Sequence, residues 1–156
     1  SASAELFAGT TYLLCPGRAG EAELARLEEV VCGIGARPLI VAPERHDEIL
    51  ALSSHLAHIC SAALCLAVGG AEPAELVRFA AGGLRDTTRI AASNVEMWRD
   101  ILGENAKNVL PAARQLRDAT GDFITAIERE DWDKVARLLA EAKAFRDRLY
   151  PDMETD

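Results

Sequence analysis

The chain changes character at Pro43. Ahead of it, TTYLLC (10–15) is a short β-prone run closed by Pro16-Gly17, EAELARLEEVVCGIG (21–35) has amphipathic-helix spacing with a glycine stop, and RPLIVA (37–42) is a second β-prone run. Beyond it every segment reads as helix: about 45–69, 73–82, 95–110, 111–129 and 132–149. Pro73 suits a first helical turn, Gly69-Gly70 and Gly82-Gly83 suit helix ends, and Asp131 suits an N-cap. Ser93-x-x-Glu96 reads as a capping box at the head of MWRDIL, and Pro111 is expected to kink or split the stretch 95–129. The fold expected is therefore mainly α, with a strand-helix-strand unit over 1–43, an all-helical domain over 44–150 and a frayed tail over 151–156. Parallel strands are normally buried on both faces within a larger sheet. Two alone make a poor domain, so 1–43 reads as the end of an α/β unit whose other strands lie upstream.

At 156 residues the chain can bury one good core. With 17 Lys+Arg against 25 Asp+Glu the net charge is -8, which disfavours nucleic acid and anionic membrane surfaces as partners. An anionic ligand would have to be held by a few local cations. No run of about 20 apolar residues is evident, so no membrane span is expected. The cysteines Cys15, Cys32, Cys60 and Cys65 show neither CxxC nor zinc-like spacing, and read as reduced, packed thiols of a cytoplasmic protein.

All three histidines, His46, His55 and His58, fall within HDEILALSSHLAH (46–58). On a straight helix at about 100° per residue, His46 and His55 point roughly 180° apart, while His55 and His58 sit about 60° apart. One such helix cannot bring all three to a single ion, and HExxH is absent, so no metal site is expected. Leu52, Leu56, Ile59 and Ala63 share an arc that reads as the core-facing stripe. A second arc gathers Ser54, His58, Ser61, Ala62 and Cys65, small or polar residues apart from the imidazole. Either a neighbouring helix packs closely there or a small polar ligand does.

GGLRDTTRIAASNVEMW (82–98) crowds two arginines, an aspartate, two threonines and a serine between two helices, a placement common for binding residues. Arg89, flanked by Ile90 and Ala91, is expected to be partly buried and to need an anionic partner. A structural Asp86–arginine salt bridge explains the same residues equally well.

HDEILALSSHLAH followed by GGLRDTTRIAASNVEMWRDI closely resembles the prephenate dehydrogenase family, including its arogenate-using members, in which HDxxxAxxSHLPH precedes GFRDTTRIAxSxPxxW. ELFAGTTYLLCPG resembles the segment that closes the family's nucleotide-binding domain. The resemblance implies an NAD- or NADP-dependent oxidative decarboxylation of prephenate to 4-hydroxyphenylpyruvate in tyrosine biosynthesis. It makes 1–43 the remnant of a Rossmann-type domain and 44–150 a substrate-binding and dimerisation domain. It places His58 and Arg89 at the substrate, Arg89 as the carboxylate-binding cation. It makes Asp86 a partner that orients an arginine across the dimer, and Trp98 a pocket wall. His55, His46 and Ser54 are then supporting groups behind the ligand.

Ala57, Leu84 and Val95 replace a proline, a phenylalanine and a proline of the family pattern, all at backbone or packing positions. No GxGxxG follows a strand, and the family's catalytic histidine lies upstream of ELFAG, so no catalytic residue is expected here and no cofactor is expected to bind this chain alone. A homodimer is expected, because 73–82 and 95–129 carry more apolar positions than one small domain can hide. The expected ligand is prephenate, arogenate or tyrosine. The alternative reading is a stand-alone helical dimer that senses tyrosine or a related aromatic acid.

Overall fold

In a computed structural model of the chain, residues 5–80 and 82–151 are described. β1 (Thr11–Leu14) and β2 (Arg37–Ile40) pair in parallel, Thr11 opposite Arg37 and Leu14 opposite Ile40, with α1 (Glu21–Gly33) as the crossover. Leu14, Val31 and Ala36 form a small buried cluster with Leu24 against it. Gly35 takes φ +80, a left-handed conformation that lets β2 begin soon after α1, and a Cβ there would stand 3.4 Å from Ala8.

The helical region opens with α2 (Pro43–Leu50), passes through one π-helical turn (Ala51–His55) and continues as α3 (Leu56–Val68). α4 (Pro73–Phe79), α5 (Gly82–Thr88), a 3-10 turn (Arg89–Ala92), α6 (Val95–Glu104), α7 (Ala106–Glu128) and α8 (Trp132–Leu149) follow. The chain divides into two compact units at Pro111. In the first, α5 and the 3-10 turn pack against α3. In the second, α8 starts at Asp131, whose carboxylate accepts from Lys134 N at 2.8 Å, and Lys134 Nζ reaches Asp122 on α7 at 2.9 Å.

Several sequence expectations are corrected. The helix expected over 73–82 stops at Phe79, and Gly82-Gly83 begin α5 instead of ending α4, so the GLRDTT segment is helical and not a loop. Asn94, not Ser93, caps α6: its side chain accepts from Met97 N at 2.8 Å, while Ser93 Oγ turns back to donate to Ile90 O at 2.7 Å. Asparagine is at least as good an N-cap as serine, and the serine is needed to close the 3-10 turn. The helical break falls at Asn105, ahead of Pro111, which lies inside α7.

The expected core stripe of the 43–68 helix holds only in part, for Leu56 and Ile59 are half-buried. Leu52 is 58% exposed and Ala63 is exposed, whereas the small, polar arc is the inward one, with His58 and Ser61 buried and Ser54, Ala62 and Cys65 half-buried. Residues with little side-chain volume let α5 and the 3-10 turn approach closely, while Leu52 and Leu66 turn outward. By length and hydropathy this helix is apolar enough to cross a membrane, contrary to the sequence expectation. Ser54, His55, His58 and Ser61 instead turn inward within the same unit.

Candidate functional site

The π-turn decides how the histidines are arranged. Each π-turn inserts one extra residue into the helical ladder, so residues beyond it lag the α-helical phase by about 100°. His46 and His55, placed on opposite faces by straight-helix geometry, are thereby brought to a common cleft of about 460 Å³. Leu50 and Ser54 line it from the same helix, and Trp98, Ile101, Glu104 and Asn105 close it from α6 and the residue that ends it. Asp47, Glu104 and Asn105 were not singled out in the sequence. The HD pair was the available signal for Asp47, and nothing local marked Asn105.

Trp98 organises the site. His58 stacks flat on its indole, with ring centroids 3.6 Å apart and an interplanar angle of 5°, and His55 meets it edge-on at 6.0 Å and 87°. Aromatic pairs of this kind add about 0.5–1.5 kcal/mol each beyond their burial. Placing Trp98 in the first turn of α6 depends on the Asn94 cap, which fixes where that helix begins.

His55 is held from behind. Asn105 Nδ2 donates to the Asp47 carbonyl at 2.8 Å and lies 3.2 Å from His55 Nδ1, while Asn105 Oδ1 accepts from Asn108 Nδ2 at 2.8 Å. His46 Nδ1 lies 3.0 Å from the Asp47 carboxylate. Burial pushes the His55 pKa below its usual 6.5; the Asp47 carboxylate opposes that shift and His46 adds to it. An unfolded chain therefore takes up a proton here more readily than the folded one, and acid favours unfolding. Stability from this group is complete above pH 6.5 and is lost as pH falls through the lowered folded value. Urea unfolding at about pH 7.5 and about pH 5 should show that loss, and His55→Gln should reduce it; an unchanged slope would refute the assignment.

Two buried polar atoms on α3, His58 Nδ1 and Ser61 Oγ, have no hydrogen-bond partner among the described residues. Leaving such a group unpaired costs about 1–3 kcal/mol, which marks this helix face as one not built for stability alone.

The other sequence candidates lie elsewhere. Asp86, on α5, is exposed and pairs with its neighbour Arg85 at 3.1 Å. Arg89 opens the 3-10 turn and is exposed, with no ion pair among the described residues. The expected partial burial fails because Ile90, not Arg89, takes the inward position of that short turn. Neither residue lines the cleft, so the structure unites His46, Ser54, His55 and Trp98 there, stacks His58 on the Trp98 indole outside the lining, and leaves Arg89 and Asp86 facing solvent. Among the described residues no group of three His, Cys, Asp or Glu side chains could hold a metal ion.

Residues 42–141 match the family model described as "Prephenate dehydrogenase, dimerization domain". The prephenate dehydrogenase of Bacillus subtilis is 35% identical over 147 residues, covering 92% of this chain and 40% of the relative. The cyclohexadienyl dehydrogenase of Zymomonas mobilis is 34% identical over 153 residues, covering 96% of this chain and 52% of the relative. Among solved structures, the prephenate dehydrogenase of A. aeolicus in complex with hydroxyphenyl propionate and NAD+ superposes with a TM-score of 0.79 at 30% identity, over 93% of this chain and 52% of that one. The chain thus spans about half or less of the length of the relatives it matches.

Proposed function

The chain belongs to the prephenate dehydrogenase family, and on that premise we propose that it supplies the substrate-carboxylate site and the dimer interface of an NAD- or NADP-dependent enzyme that oxidatively decarboxylates prephenate to 4-hydroxyphenylpyruvate. The observation that carries this reading is Trp98 in contact with two imidazoles, His58 flat on its face and His55 edge-on. A rigid aromatic wall flanked by neutral or cationic donors suits a cyclohexadiene ring bearing carboxylates. Arg89 lies outside the cleft, in the same unit, and in this reading meets a part of the substrate that extends beyond it. Its guanidinium, exposed and without an ion pair among the described residues, would fork to a carboxylate bidentately, the local cation that a chain of net charge -8 needs for a dianionic substrate.

Hydride transfer requires a nicotinamide held within near-attack distance, and proton removal from the ring hydroxyl requires a general base. In this reading both come from a nucleotide-binding domain outside residues 1–156, and the chain alone binds without turning substrate over. Its own residues orient the ring against Trp98, hold a carboxylate at Arg89 and exclude water with the apolar wall of Leu50 and Ile101. Calorimetric titration with prephenate, with tyrosine in parallel, tests this. Heat with prephenate supports the reading, and none from well-folded protein at millimolar ligand rejects an independent half-site.

The second element is a cytoplasmic homodimer. Leu66 is 83% exposed, Val77 76%, Phe79 78% and Val95 81%, all within the first unit. Monomers rarely leave so many large apolar side chains in water, and a second copy is the occupant that a dimerisation domain implies. Light scattering on the eluting protein should give twice the chain mass, about 34 kDa from a 16.8 kDa chain. A clean monomer at micromolar concentration would contradict it.

A further inference from the structure

Asn105 sits where α6 ends and α7 begins, 7% exposed, with each polar atom of its amide engaged. Its orientation is not ambiguous. The Asp47 carbonyl only accepts, so the atom 2.8 Å from it must be the NH₂ nitrogen, and the amide oxygen is then the atom that accepts from Asn108. The second hydrogen of that NH₂ points to His55 Nδ1, 3.2 Å away. A nitrogen facing an N–H donor must present its lone pair, so His55 Nδ1 is unprotonated and the ring proton resides on Nε2. Nε2 has no hydrogen-bond partner among the described residues and, unlike His58 Nδ1, is not one of the buried orphaned atoms.

We propose that Asn105 is a positioning residue that locks His55 as its Nε2–H tautomer, so that a single fixed donor faces the cleft beside Trp98. A group 50 residues away, at the break between α6 and α7, thereby decides what His55 offers a ligand: a hydrogen bond to an oxygen, never an acceptor for a hydroxyl or ammonium. The titratable groups around the ring do not impose this by themselves. Asp47 and His46 on α2 engage each other, Glu104 lines the cleft from α6, and His58 stacks flat on the Trp98 indole. Protonating His55 would set an Nδ1–H against the Asn105 NH₂, donor facing donor, in the same direction as the effect of burial. The ligand-facing part of this proposal rests on the cleft being the substrate site; the tautomer itself does not.

The test is long-range proton–nitrogen correlation NMR of the imidazole rings in the whole chain at neutral pH. With three histidines, His55→Gln assigns the signal of interest. The result expected is one His55 tautomer carrying its proton on Nε2. In Asn105→Asp a carboxylate replaces the donor, so the proton moves to Nδ1 and the His55 pKa rises. In Asn105→Ala the preference collapses to a mixture. A merely structural Asn105 predicts none of these reversals, and a wild-type ring already mixed or protonated on Nδ1 overturns the proposal even if neither variant folds. Prephenate separates the two readings. Binding to wild type that weakens about tenfold in Asn105→Asp supports the positioning role, and equal binding to a ring with reversed tautomer refutes it. Failure of wild type to bind counts against the proposed function and leaves the tautomer result standing.

Discussion

Replacing Arg89 by alanine should abolish prephenate binding, lowering affinity by about 100-fold or more, while leaving the melting temperature within a degree or two. The expected separation follows from where the side chain sits. Arg89 is exposed and makes no ion pair among the described residues, so the folded chain has little to lose. A bidentate guanidinium–carboxylate contact has much to lose: charge-assisted pairs are roughly twice as strong as neutral ones, and the remaining carboxylate would face a protein of net charge -8. Arg89→Lys should recover only part of the affinity, because a point charge cannot fork to two oxygens. Titrations of the three proteins side by side provide the check. Equal affinity for wild type and Arg89→Ala would remove Arg89 from the site.

The second large effect falls on stability. Trp98→Ala removes the surface against which His58 lies and the face that His55 meets edge-on. Core Trp→Ala changes cost about 3–5 kcal/mol, and a half-buried tryptophan belongs near the low end, about 3 kcal/mol. That is a large part of the roughly 5–15 kcal/mol that holds most domains folded. Trp98→Phe keeps an aromatic plane for His58 and should cost less than half as much. Urea midpoints of the three proteins decide it. An alanine variant as stable as wild type would mean that the stack contributes nothing to the fold.

Much of this architecture was legible in the residues, and what was not has identifiable causes. Composition and breakers located the change from strand-helix-strand to helices at Pro43, because proline at a first helical position and glycine after the last are local signals. Asp131 capped its helix as expected, since an N-cap bond spans only three residues. The histidines and Trp98 stand in two separate motifs, and only the packed chain shows which faces of those motifs meet. The buried face of the 43–68 helix was only partly read, because hydrophobic periodicity does not register close packing by small residues: Leu56 and Ile59 are half-buried, but Leu52 stands exposed while Ser61 is buried. Asn105 was invisible for a different reason: its partners, Asp47 and His55, are 58 and 50 residues away, and no spacing rule reaches that far.

The π-turn over Ala51–His55 gives the helix a property that its residue types alone do not. A regular helix is indifferent to where a residue is counted from, but this one has two angular origins, one for each side of the turn. His46 and Asp47 are timed by the first, His58 and Ser61 by the second, and Ser54 and His55 sit at the handover. The cleft therefore encodes a number, the five residues that fill one wide turn, as much as it encodes any side chain. Shortening that count by one would leave an unbroken and locally better-bonded helix whose two halves no longer agree on where inside is.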